Sequence, residues 1–144
     1  MFEAKSYPSK ALKEALILVS IFVLTASLES LMLVKDLSLY REWAQAIGSR
    51  ANFGDYKALI SIQLIFNLII PLSYSIYIYL ANKKIGYSGI SRWLWILLLF
   101  YSVIMKVFEM RIRSVFWYAQ LIALIVLLII NISIPRYGKE RNKK

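Results

Sequence analysis

The sequence predicts an all-α integral membrane protein: four transmembrane helices in a bundle, with a candidate short interfacial helix between helices one and two. Three observations carry this. Long apolar runs fill most of the 144 residues, which are 60% hydrophobic and 18% charged with a mean hydropathy of +0.61, whereas a soluble domain carries about a quarter charged residues. The first run, Ala15 to Val34, is twenty residues; as a helix that is about 30 Å, one hydrocarbon core. The same run holds a carboxylate, Glu29, at a depth where an ionised side chain costs on the order of 2.5–3.5 kcal/mol on insertion scales.

Helix one is expected at about 13–34. A cleaved signal peptide competes for this segment, with Thr25-Ala26-Ser27 as its small-residue site, but the apolar stretch continues past that point to Val34, which favours a retained helix. Residues 35–57 are the longest polar connection. Leu37, Tyr40, Ala44 and Ile47 recur in it at helical spacing, Ser38 suits a start and Gly48 an end. Trp43 suits the headgroup layer. A short surface helix and a loop folded over the helix ends both fit.

Helix two is expected at about 58–80. Gln63 and Asn67 share a face at i and i+4, and Pro71 removes the N–H that the Asn67 carbonyl would receive. Lys83, Lys84, Gly86 and Gly89 mark the next turn. Helix three, about 91–108, has a purely apolar part of only thirteen residues, Trp93 to Met105. That is too short to span, so the helix runs on through Lys106, which snorkels or pairs. A charged turn leads to helix four, about 115–134. Its apolar run is interrupted by Gln120, Asn131 and Ser133 and ends at Pro135, leaving 135–144 as a basic, disordered cytoplasmic tail. All 144 residues fit one four-helix domain.

Lys and Arg set the orientation. The N-terminus, the second connection and the tail hold eleven, and the first and third connections hold seven. The excess places both termini in the cytoplasm of a multi-pass cell-membrane protein. Tyr77, Tyr79, Trp93 and Trp95 then mark the inner interface, and Trp43, Trp117 and Tyr118 the outer one.

The chain has no cysteine and no histidine. Disulfides, thiolate metal sites and four-helix thiol oxidoreductases are excluded, as are Ser-His pairs and bis-His haem. Asp36 and Asp55 are the only aspartates, too few for paired-aspartate metal sites. The five glycines form no phosphate-cradling loop. The expectation is no catalytic residues, no metal and no cofactor. The net charge of +10 reads as topology signal and affinity for anionic headgroups rather than for nucleic acid.

Topology brings the outer ends of helices one and three together, so the intramembrane candidates are Glu29 and Lys106 as an ion pair, with Arg111 or Arg113 as alternative partners. Thr25, one turn before Glu29, is placed to hydrogen-bond the carboxylate. Gln63 and Asn67 form a polar patch on helix two. Arg136, Lys139, Arg141, Lys143 and Lys144 form a juxtamembrane cluster for anionic lipid. By elimination, these features imply a non-catalytic four-helix membrane protein, an accessory or assembly subunit that packs against other membrane subunits or itself. The alternatives are a small transporter or ion-conducting oligomer built around Glu29, or a membrane factor that binds lipid or a small molecule.

Overall fold

Helices account for nearly all of the residues described in the computed structural model, which are 9–48, 50–81, 89–109 and 114–141. They are α1 (Ser9–Lys35), α2 (Leu37–Ile47), α3 (Phe53–Leu80), α4 (Gly89–Phe108) and α5 (Val115–Arg141). All but α2 are long and apolar enough to cross a membrane, over Lys10–Lys35, Phe53–Leu80, Gly89–Phe108 and Val115–Ser133.

The four long helices run alternately up and down around one core. α1 packs against α3 and α5, and α4 packs against α5 and more thinly against α3. The ring order is therefore α1, α3, α4, α5, with α1 and α4 on one diagonal and α3 and α5 on the other. Inward stripes recur every three or four residues, the spacing that keeps one helix face on a core. On α1 the stripe is Ala11, Ala15, Val19, Phe22, Ala26 and Glu29; on α5 it is Trp117, Gln120, Leu124, Leu127 and Asn131. The three alanines let α1 approach its neighbours closely.

Two apolar layers fill the interior. Ala11, Ala15, Val19, Tyr74, Ile78, Trp95, Leu99, Leu127 and Ile130 occupy the end away from α2, and Phe22, Ala26, Ala123 and Leu124 lie nearer α2. The outward faces are also apolar, with Ile17, Leu24, Phe66, Ile76, Leu97, Phe100, Ile122 and Ile129 all exposed. Such a surface far exceeds the few hundred Å² of apolar patch that a soluble monomer shows.

Several element ends differ from the sequence reading, each for a local reason. The 35–57 connection holds a true helix, α2, but its cap is Asp36: Oδ1 accepts from the backbone N–H groups of Ser38 (2.9 Å) and Leu39 (3.3 Å). Gly48 ends it at φ +96°, giving its N–H to Ala44 O at 2.9 Å. Leu37 and Ile47 of the expected apolar stripe are exposed, whereas Tyr40 and Trp43 pack on Tyr56 of α3, ring centroids 5.6 Å apart in each case. α3 starts five residues early because Asn52 Oδ1 caps it at Gly54 N and Asp55 favours the first turn. α5 does not stop at Pro135 but continues to Arg141. A proline is tolerated inside a helix where neighbours re-satisfy the backbone; the carbonyl that Pro135 leaves without its donor is that of Asn131, and one residue on the Arg92 guanidinium donates to Ile132 O at 3.2 Å.

Candidate functional site

Glu29 occupies the next place on the inward stripe of α1 after Phe22 and Ala26, so the helix itself turns the carboxylate into the bundle. It is 4% exposed. Lys106, two residues from the end of α4 and 2% exposed, reaches it across the α1–α4 diagonal: Nζ lies 3.8 Å from Glu29 Oε2. The same oxygen accepts a 2.7 Å hydrogen bond from Nε2 of Gln120, a fully buried residue on the inward stripe of α5. The Lys106 ammonium makes a closer bond, 2.9 Å, to Glu109 Oε2 at the partly open edge of the bundle. One buried cation thus stands between two carboxylates.

The α4 end that carries Lys106 is pinned by α5. Carbonyls in the last turn of a helix lack intrahelical donors, and the Trp117 indole N–H fills one such vacancy, donating to Lys106 O at 2.9 Å. Tyr56 of α3 holds the end of α1, its hydroxyl donating at 3.0 Å to Leu33 O, which also accepts from the Asp36 N–H at 3.2 Å. Side chains from the starts of α3 and α5 therefore tie down the ends of α1 and α4 around the charges.

A second polar crossing lies at the opposite end, on the other diagonal. The Tyr74 hydroxyl of α3 donates to Asn131 Oδ1 of α5 at 3.4 Å, and Asn131 Nδ2 donates to Arg92 O at 3.3 Å. Each diagonal, where backbones approach least, is bridged by polar side chains.

The expected site residues divide as follows. Glu29 and Lys106 meet. Thr25 does not serve Glu29: its hydroxyl donates back to Ile21 O (2.8 Å) and Phe22 O (3.1 Å), the usual resort of a threonine inside a helix. Gln63 is exposed on α3 and Asn67 half-buried. Arg136, Lys139 and Arg141 are helical positions at the end of α5, while Arg111, Arg113, Lys143 and Lys144 lie outside the described residues. Glu109, Gln120 and Asn131 are not among the site candidates of the sequence reading, which takes the two amides only as interruptions of helix four and Trp117 only as an interface marker. The missed signal was spacing, since 117, 120, 124, 127 and 131 form one helix face. Among the described residues no three His, Cys, Asp or Glu side chains gather as a metal site.

Comparison with known proteins adds no identity: no protein-family model, no curated protein and no solved structure matches the chain.

Proposed function

We propose that the chain is a non-catalytic multi-pass protein of the cell membrane, an accessory or assembly subunit with both termini in the cytoplasm. One observation carries the reading: the polarity is inside out. Glu29, Lys106, Gln120 and Asn131 are buried and engaged with groups of the same chain, while the exposed faces of the four long helices carry Ile, Leu and Phe. Chemistry on a substrate calls for polar groups left accessible. Here they are spent on holding helices together, which leaves apolar surface for lipid and for other transmembrane helices.

α2 fits this as an interfacial helix. Its polar residues Ser38, Arg41, Glu42 and Gln45 take one side and Leu39, Tyr40, Trp43, Ala44 and Ile47 the other, and it begins directly after α1 ends. That level is the headgroup layer, where amphipathic helices with aromatic residues lie flat. The basic end of α5 then belongs to the cytoplasmic side, where anionic lipid is enriched.

The transporter alternative built around Glu29 is disfavoured by the network, because Lys106 and Gln120 already engage the carboxylate that would move the ion. Purification in mild detergent tests the reading. An accessory subunit brings down unrelated membrane chains in fixed stoichiometry, and Glu29→Gln weakens that recovery. A chain that purifies with none, and whose reconstituted vesicles pass ions only when Glu29 is intact, would replace this reading with the transporter.

A further inference from the structure

Arg92 is the fourth residue of α4, and its guanidinium crosses the α4–α5 seam to donate from Nη2 to Ile132 O at 3.2 Å, a bond exposed on the outside of the bundle. In return the Asn131 amide donates to Arg92 O at 3.3 Å, so both the backbone and the head of Arg92 are held to α5. Ile132 lies one residue short of the end of the apolar span of α5, Val115–Ser133. Arg92 lies three residues, about 4.5 Å, inside the start of α4. The guanidinium therefore sits at the margin of the hydrocarbon, where the headgroup layer begins. Trp93 and Ile132, its neighbours on the two helices, are both exposed.

Two features set this cation apart from an arginine that only snorkels. A snorkelling head is carried out to water, whereas this one is tied to a helix carbonyl and its Nε is closed off without an acceptor. It also lacks a counter-charge: among the described residues the ion pairs are those of Lys10 with Glu14 and of Lys106 with Glu29 and Glu109. Nη1 shares neither the bond of Nη2 nor the burial of Nε, and Nη2 has a second proton. Together they present the paired donors that match two oxygens of a phosphate. An anion at this level would complete the site.

We propose that this anion is the phosphate of an anionic phospholipid, bound at the α4–α5 seam at the end of the bundle away from α2. A free phosphate offers the same oxygens, but the surface below Arg92 suits a lipid. Ile122, Ile125, Ile129 and Ile132 are all exposed and recur every three or four residues, an apolar stripe along α5 that ends at the guanidinium. An acyl chain lying on that stripe brings its phosphate to Arg92, and a free anion makes no use of it. Positions 136 and 139, both basic, continue the register of Ile132 by one and two turns. Their charge favours a lipid of net negative charge over a zwitterionic one. The inference rests on the membrane-spanning part of the reading above and not on the assembly role.

The test uses the full chain in a neutral detergent, titrated with dioleoylphosphatidylglycerol or dioleoylphosphatidylcholine. These lipids share acyl chains and a phosphate and differ in net charge, and native mass spectrometry reads how much of each is retained. The unaltered chain should hold phosphatidylglycerol the more tightly, and Arg92→Gln should weaken that binding about tenfold, the loss of a charge-assisted pair. Arg92→Lys, which keeps the charge and loses the fork, should fall between them. Lys13→Gln removes one charge from an exposed position of α1 at the same end of the bundle and should change nothing. Equal retention of the two lipids by the unaltered chain would overturn the site whatever the variants do. So would unchanged binding in Arg92→Gln, or an equal loss in Lys13→Gln, which would reduce the preference to diffuse charge. Displacement of phosphatidylglycerol by millimolar inorganic phosphate, but not by chloride at the same ionic strength, would give the seat to a free anion and overturn the lipid. Release of the chain from membranes by alkaline carbonate would instead sink the membrane-spanning reading beneath it.

Discussion

At the scale of residues, the asymmetry of the charge network orders two mutations. Lys106 serves two carboxylates, and its bond to Glu109 (2.9 Å) is shorter than its approach to Glu29 (3.8 Å). Glu29→Gln therefore leaves the ammonium its better partner and keeps an amide that can still meet Gln120, so the expected loss is about 1–2 kcal/mol. Lys106→Met removes the cation from both carboxylates at once, and breaking a buried pair from that side costs about 3–5 kcal/mol. Reversible unfolding in bicelles or by steric trapping should rank Lys106→Met as the more damaging, and the reverse order would mean that Glu109 carries no weight. A second residue acts outside the apolar spans. The Ser38 hydroxyl, and then the Leu39 N–H, hold the Asp36 carboxyl below the usual carboxylate range. A folded value lower than the unfolded one means the cap's contribution is complete at neutral pH and disappears as pH falls through and below that range. The amide proton shifts of Ser38 and Leu39 should titrate there, and Asp36→Asn should flatten the titration. Glu29 and Lys106 were legible in the sequence because a charge in an apolar run is costly and draws the eye. Gln120 and Asn131 were not, since an uncharged amide is cheap enough to pass as an interruption unless its helical phase is compared with the apolar residues around it.

Elements were legible by their length and failed at their ends. Twenty apolar residues make a span whatever surrounds them, whereas a helix end is decided by one or two side chains. Asp36 rather than Ser38 caps α2 because its carboxylate reaches two backbone donors from the position just before the first turn. α5 runs on through Pro135 to Arg141, past the stop that the proline marks in the sequence, and the bond of the Arg92 guanidinium to Ile132 O comes from forty residues away, which no local pattern foretells. Gly48 is the end the sequence did mark. At φ +96° only glycine is comfortable, and although nothing crowds the place of its missing Cβ, a side chain there strains the backbone itself. Gly48→Ala should cost on the order of 1 kcal/mol and appear as faster amide exchange at Gly48 and Ile47, with the exchange of α1 and α5 unchanged. Equal exchange in the variant would place the stop of α2 elsewhere, in the packing of Phe53 on Tyr40 (5.0 Å between centroids).

For the whole molecule, the alternating helices put the start of α1, the end of α3, the start of α4 and the end of α5 at one end and α2 with the end of α4 and the start of α5 at the other. The two ends carry different charge. Eleven Lys and Arg belong to the terminal end and seven to the α2 end, and only the former bias holds a loop on the cytoplasmic side during insertion. The terminal end should therefore be inside. Gln45 on α2 and Lys10 at the start of α1 are both exposed, and cysteine at either is the sole thiol of the chain. In intact cells an impermeant thiol reagent should label Gln45→Cys and reach Lys10→Cys only after permeabilisation. The opposite pattern would invert the molecule, turning α2 and the Glu109 edge of the charge network to the cytoplasm and the basic end of α5 to the outside, away from the anionic leaflet.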